Sequence, residues 1–217
     1  IFWWEWAHRQ LGRLIGLAVF IPMIYFTIKN GFWILKKYGI IFLLICFQGF
    51  VGWYMVSSGL VERVDVSHYR LSIHLVTAFI ILSIIFWKLL QLIDLRIHKI
   101  SFKLFPIKFF LFLIFLQLVI GAFVSGMDAG SIYNTWPLMG NSYFPDDSKF
   151  IELLNIKVFD NPSIVQFIHR NLAYLIVAVY LYSLFFVFTE QNKIIRKPII
   201  IIGISLLFQV FLGIMTI

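Results

Sequence analysis

The hydrophobic positions of this chain fall in long unbroken runs rather than in alternation. Six mostly apolar stretches carry no Asp, Glu, Lys or Arg: 14–28 (the shortest, extended upstream by Trp3, Trp4 and Trp6), 38–61, 71–87, 109–127, 171–189 and 198–217. A helix that spans a bilayer needs roughly 20 such residues. Because lipid offers the backbone no hydrogen-bond partners, and because the runs lack the period of two that marks a half-buried strand, they predict transmembrane α-helices.

Composition supports a membrane setting. Of the 217 residues, 61% are hydrophobic and only 13% are charged, whereas about a quarter of the residues of a soluble domain are charged. The predicted fold class is therefore an all-α integral membrane protein, a bundle of transmembrane helices. The single cysteine, Cys46, lies within an apolar run. It excludes an intrachain disulfide and a cysteine-rich metal cluster.

The net charge of +8 lies in alternate connections between the helices. This distribution indicates membrane topology rather than a surface that binds nucleic acid. Basic residues outnumber acids in connections 29–38, 88–108 and 190–197, whereas connection 128–161 is acidic. Under the positive-inside rule the basic connections face the cytoplasm or matrix, and the acidic connection faces outward. The first, third and fifth helices are therefore predicted to begin at the outer face.

The chain also contains an internal repeat. His8 and His169 are 161 residues apart, and the same offset relates Gln48 to Gln209 and Gly52 to Gly213. Two motifs on different helices that share one offset indicate a parallel repeat. The repeat predicts two pseudo-symmetric four-helix halves, 1–100 and 101–217, with six of an expected eight helices present and one more helix at each end.

A further copy of the Gln-x-x-x-Gly pattern occurs on the fourth helix, at Gln117 and Gly121. Glycine allows two membrane helices to approach closely, and glutamine can hydrogen-bond across them. The pattern is interpreted as a packing motif in preference to a catalytic one.

Of the five histidines, His98 lies in a basic connection and is predicted to be at the surface, while the others lie near outer helix ends. His68 and His74 are about 240° apart around a helix and cannot serve one site. Neutral imidazoles on separate, co-oriented helices suit axial ligation of haem iron, and they suit zinc less well without thiols or carboxylates. His8 is predicted to pair with His74, and His169 with a residue beyond position 217. Hydrogen-bonded structural histidines are the alternative.

Charged residues accompany these histidines. Arg9, Arg70 and Arg170 are candidate contacts for haem propionates through bidentate hydrogen bonds, although arginines at a membrane interface also snorkel without any ligand. Glu5 precedes His8 by three residues and therefore lies on the same helical face, one turn outward. It either acts at the histidine site or stabilises the helix N-terminus.

These segments resemble the haem A synthases of the mitochondrial and alphaproteobacterial type. The resemblance lies in EWAHRQLGRLIGL at 5–17, QGFVGWYMV at 48–56 and SHYRLSIHL at 67–75. It is most specific in GMDAGSIYNTWPLMG at 126–140 and FDNPSIVQFIHR at 159–170. It covers essentially the whole chain in order.

The resemblance implies an oxidoreductase that converts haem O to haem A for cytochrome oxidase. The methyl group at porphyrin position 8 would be oxidised to a formyl group, with water as the oxygen source. The first half would hold the substrate haem between His8 and His74, with Glu5 as the catalytic carboxylate. The second half would hold haem b, with His169 as one axial ligand and iron as the only metal.

The resemblance also implies partners and a location. Haem O synthase and cytochrome oxidase assembly factors are expected partners, with the lipid bilayer but no nucleic acid, and a homo-oligomer remains open. The bacterial inner membrane is the expected location, with the mitochondrial inner membrane as the alternative.

The family's first and last helices are absent, as are the cysteine pairs of some branches. A b-type di-haem cytochrome that only transfers electrons is the alternative function, ahead of a transporter.

Overall fold

Six long α-helices follow the six apolar runs in the computed structural model, which describes residues 2–57, 66–93, 105–189 and 193–216. They are α1 (Phe2–Asn30), α2 (Trp33–Ser57), α3 (His68–Leu92), α4 (Phe105–Gly126), α5 (Pro162–Thr189) and α6 (Lys193–Met215). The predicted all-helical membrane fold is confirmed. His98 lies outside the described residues.

The surfaces of these helices are those of a protein solvated by lipid. All six helices are long and apolar enough to cross a membrane. Large apolar side chains point outward along them, and Leu111, Phe185 and Leu207 are 61%, 68% and 68% exposed. In water such exposure would form extended hydrophobic patches, whereas hydrocarbon solvates it without cost. The short 3₁₀ helices Ala129–Ser131, Phe150–Leu154 and Ile156–Asp160 lie between α4 and α5.

The first of two compact units comprises Ile1–Val66 and Ile73–His98. In this unit α1 and α2 pack against each other, with the rings of Phe20 and Phe42 5.1 Å apart. Only two residues join them, and Gly31 adopts a φ of 100° there, in the left-handed region that glycine tolerates best. Its N–H donates to the carbonyl of Thr27 over 2.9 Å. This tight connection places α2 beside α1.

The second unit comprises Ser67–Ser72 and Lys99–Ile217. Its core is the α4–α5 contact, formed by Leu113, Ile120, Phe123, Val165, Leu172 and Ile176. α6 joins the far end of α5, where the hydroxyl of Tyr180 donates to the carbonyl of Ile199 over 3.1 Å. The first residues of α3 belong to this unit and lie against the end of α4.

Gly126 sets the distance between the end of α4 and the start of α3. A Cβ placed on Gly126 would lie 2.8 Å from the Cα of His68, a backbone atom that cannot move aside cheaply. We expect Gly126→Ala to lower the free energy of unfolding by about 1–3 kcal/mol, as overpacking does. Thermal unfolding in detergent measures this. Gly49→Ala is the control, because its Cβ would meet nothing within 4 Å. Equal stability of the two variants would contradict the prediction.

Candidate functional site

Two of the predicted histidines meet in the first unit. His8 on α1 and His74 on α3 have ring centroids 6.4 Å apart, with the ring planes inclined by 64°. Two imidazoles on opposite sides of one metal ion, each with a metal–nitrogen bond of about 2 Å, have centroids about 6 Å apart. The spacing of this pair is therefore compatible with one ion between the two rings.

The ring of His74 is held by α2. The side-chain amide nitrogen of Gln48 donates to the main-chain carbonyl of His74 over 2.9 Å and lies 3.4 Å from its Nε2. One turn further along α2, a Cβ on Gly52 would come within 3.0 Å of His74 Cε1. The glycine therefore leaves room for the edge of the imidazole.

His169 on α5 has the same surroundings in the second unit. The amide nitrogen of Gln117 on α4 lies 3.1 Å from His169 Nε2 and donates to the His169 carbonyl over 3.2 Å. A Cβ on Gly121 would lie 3.2 Å from His169 Cε1. Sequence reasoning found these glutamines and glycines but assigned them to helix packing. The available signal was that each Gln-x-x-x-Gly pattern, with its spacing of four residues, lies on the helix that directly precedes a histidine-bearing helix.

The residues present fit a haem. The Nδ1 atoms of His74 and His169 are buried and have no hydrogen-bond partner among the described residues. Neutral imidazoles in apolar surroundings suit iron ligation. Among the described residues, no group of three or more His, Cys, Asp or Glu could hold a metal ion. A haem, whose porphyrin supplies the other ligands, takes only one or two imidazoles from the protein.

The predicted catalytic carboxylate lies on α1, three residues before His8. Glu5 Oε2 is 3.7 Å from Nη2 of Arg9, and the two side chains are 60% and 51% exposed. Glu5 is one helical turn outward from His8, as its spacing predicts. An exposed pair of this kind contributes little to stability, so the carboxylate is available for another role.

Arg170 is engaged with the outer loop. Its Nη1 donates to the carbonyl of Thr135 over 2.7 Å, and its Nη2 donates to the carbonyl of Tyr133 over 2.8 Å. Gln166, one turn earlier on α5, donates to the carbonyls of Gly130 and Tyr133 over 3.2 and 3.1 Å. Both side chains hold the loop over the outer end of α5. Arg170 Nε is buried without a hydrogen-bond partner among the described residues, and Arg70, on α3, is half-buried.

The outer loop is also tied to the start of α5. Asp147 accepts a hydrogen bond from the Ser163 hydroxyl over 2.6 Å. Partial burial works to raise the pKa of Asp147, but hydrogen bonds from Ser163, Ser148 and Tyr133 outweigh it and leave the pKa below its usual value. The stability that Asp147 contributes is therefore present at neutral pH and lost as the pH falls through that lowered pKa.

His68 contacts the end of the outer loop. Its Nε2 lies 3.7 Å from Asp160 Oδ1, and the same oxygen accepts a hydrogen bond from the hydroxyl of Tyr69 over 2.8 Å. The two contacts connect the first turn of α3 to the end of the outer loop. They give His68 a structural role within the second unit.

The sequence of the whole chain matches a known protein family and several curated relatives. The family model COX15-CtaA, cytochrome oxidase assembly protein, matches residues 1–217. The heme A synthase of Pelagibacter ubique is 46% identical over 100% of this chain and 64% of its own length. That of Flavobacterium johnsoniae is 39% identical over 97% of this chain and 65% of its own. That of Wolbachia pipientis is 40% identical over 98% and 61%.

The chain thus spans slightly less than two thirds of the length of these curated relatives. No solved structure matches it. The relatives are bacterial, and the described residues include six helices of membrane-spanning length. The chain is therefore a multi-pass protein of the bacterial inner membrane.

Proposed function

This chain belongs to the COX15-CtaA family of cytochrome oxidase assembly proteins, and on that premise we propose that it is the membrane part of a haem A synthase. The observation that carries the proposal is the meeting of His8 and His74, with ring centroids 6.4 Å apart, one helical turn from the carboxylate of Glu5. An electron carrier needs such a histidine pair but has no use for the acid beside it.

The proposed substrate is haem O. Its methyl group at porphyrin position 8 is oxidised to a formyl group, and water supplies the oxygen atom. Methyl plus water gives formyl plus four protons and four electrons, so the reaction needs a base near the methyl group and an electron acceptor. Bound haem supplies one-electron chemistry at its iron.

The candidate residues of the first unit, and Arg70 of the second, each have a role in this proposal. His8 and His74 would hold the iron of haem O and so fix the position of the porphyrin edge. Glu5 accepts a proton from the attacking water, as a positioned general base does. Arg9, beside Glu5, and Arg70 on α3 are proposed propionate contacts, because guanidinium groups bind carboxylates through paired hydrogen bonds.

The second unit is proposed to hold haem b. His169 would be one axial ligand, with Gln117 and Gly121 against its ring. Arg170 already donates through both terminal nitrogens to loop carbonyls, so its proposed propionate contact would use Nε. The outer loop that Arg170 holds would then exclude water from the haem beneath it.

The proposed partners follow from the substrate and product. A haem O synthase must supply the substrate, and cytochrome oxidase or its assembly factors must take up the product. Each exchanges a hydrophobic porphyrin, which favours transfer within the bilayer. The exposed apolar surface of the helices is compatible with such transfer. It is also compatible with a homo-oligomer.

Haem extraction tests the proposal. The complete protein, expressed from its gene in a bacterium that makes haem O but no haem A, should give haem A in membrane extracts separated by liquid chromatography. Cells that carry the haem O synthase alone provide the control. Bound haem b with haem O left unconverted would contradict the proposal and favour the b-type cytochrome.

A further inference from the structure

A group of large apolar side chains is exposed on the outer loop between α4 and α5. Four of them are between 68% and 95% exposed, and we call these four the apolar rim: Phe150, Ile151, Leu154 and Ile156. They belong to the 3₁₀ helices Phe150–Leu154 and Ile156–Asp160. Side chains three residues apart lie on one side of a 3₁₀ helix, so Ile151 and Leu154 point the same way.

The charged residue inside the rim is turned away from it. Glu152 is the only charged residue between positions 150 and 156. Its carboxylate accepts hydrogen bonds from the Lys149 N–H over 3.0 Å and from the Asn161 amide over 3.1 Å, and the nearby Val158 is buried. The loop thus satisfies its carboxylate internally while its largest apolar side chains stay outside. This is the reverse of what water favours, because exposed apolar patches mark surfaces that contact a partner or a membrane.

The rim is held at the height of the outer end of α5. The amide of Asn161, the residue before α5, donates to Ser148 and Glu152 over 3.2 and 3.1 Å. α5 has 28 residues, which is about 42 Å at 1.5 Å per residue. A bilayer with its headgroups is roughly 40–45 Å thick. The start of α5 therefore lies in the headgroup region, and the rim lies beside it.

Two lysines flank the rim. Lys149 directly precedes Phe150, and Lys157 directly follows Ile156; both lysines are exposed, and they are the only basic residues of connection 128–161. Lysine is attracted to the phosphates of anionic lipids, and its long stem lets the charge reach them from an apolar surface. Interfaces between proteins are instead depleted of lysine. The flanking charges therefore favour lipid over a second protein as the occupant of the rim.

We propose that the apolar rim is inserted in the outer interface of the bilayer, with Lys149 and Lys157 at the lipid phosphates. Segments that lie in this interface bury an apolar face by roughly 5–10 Å at the boundary of headgroups and acyl chains. Gln166 and Arg170 on α5 already hold the first part of the loop, at residues 130–135. Lipid then fixes the second part, so the loop is anchored at two places. This placement does not depend on bound haem.

Spin labels test the placement in the complete protein. Native cysteines, Cys46 among them, are replaced by serine, and Leu154→Cys or Ile156→Cys carries a nitroxide in nanodiscs of phosphatidylethanolamine and phosphatidylglycerol. Oxygen concentrates in lipid and a nickel chelate in water, so power saturation with each reagent measures what surrounds the label. The ratio of the oxygen to the nickel collision rate should be roughly fivefold higher at both positions than at Asn141→Cys, because hydrocarbon excludes polar complexes.

Asn141→Cys is the matched control, because Asn141 is exposed in the same loop and its N–H donates to the Asp146 carboxylate over 2.9 Å. Its label should meet the nickel chelate freely. A ratio at Leu154→Cys or Ile156→Cys no higher than that of the control would place the rim in water and overturn the inference. Low collision rates with both reagents would show that another protein segment covers the rim, and would overturn it as well.

Discussion

Replacing Glu5 with Gln should lower the rate of haem A formation about a hundredfold or more while both haems stay bound. The amide has the size of the carboxylate but cannot take a proton from water, and general bases contribute roughly 10²–10⁴-fold to a rate. The neighbouring Arg9 would lose an exposed ion pair, which is worth little to stability. Haem A and haem O extracted at timed intervals measure the effect, and absorption spectra measure bound haem.

A matched substitution separates this effect from a general change of charge. Glu152 lies in the outer loop, where it accepts hydrogen bonds from the Lys149 N–H and the Asn161 amide over 3.0 and 3.1 Å. Glu152→Gln should leave haem A formation within about twofold of wild type, because surface changes of this kind cost little. If Glu5→Gln forms haem A as fast as Glu152→Gln, Glu5 is not the base.

Replacing His74 with Ala should empty the first haem site and leave the second. The substitution removes one of the two rings that lie 6.4 Å apart, whereas His169 and Gln117 are contacts of the other unit. Retention of haem O should fall at least about tenfold, which is about 1.4 kcal/mol of binding free energy, and haem A formation should stop. Haem b content should stay near its wild-type value.

His68→Ala is the control for this variant, since His68 lies six residues earlier on the same helix and contacts Asp160 rather than His8. It should retain haem at both sites, even if the outer loop is loosened. Loss of both haems in His74→Ala, with His68→Ala intact, would contradict the division into two independent sites.

The helices could be predicted from the sequence because the bilayer imposes a simple requirement. A chain in hydrocarbon must satisfy its backbone internally, so each long apolar run becomes a helix whatever its neighbours are. The described helices follow the apolar runs, and each helix differs from its run mainly at the ends. α1, for example, includes the residues upstream of 14 as far as Phe2, because Glu5, Arg9 and Arg13 are tolerated on exposed faces near the outer end.

The outer loop could not be predicted in this way. Its 3₁₀ turns are held by contacts between side chains and distant carbonyls, such as those of Gln166 and Arg170 with Gly130, Tyr133 and Thr135. No local period in the sequence encodes such contacts, because they depend on which helix end lies beneath the loop. Only the resemblance marked this segment as important.

The candidate site was predicted in part. The spacing of the histidines and the direction of their helices indicated that His8 and His74 should meet, and the structure brings them together. The contacts of Gln48 and Gln117 with histidines were missed, because Gln-x-x-x-Gly is also a common packing pattern. The ligand roles of the histidines and the catalytic role of Glu5 remain predictions.

Pulsed electron paramagnetic resonance of the ferric complete protein, made with ¹⁵N-labelled histidine, tests the central claim most directly. If imidazoles from α1, α3 and α5 bind haem iron, the low-spin signal should show strong coupling to histidine ¹⁵N. The coupled signal of one haem should disappear in His74→Ala, and that of the other should change in His169→Ala. Haem signals without histidine ¹⁵N coupling, or unchanged in both variants, would contradict the claim.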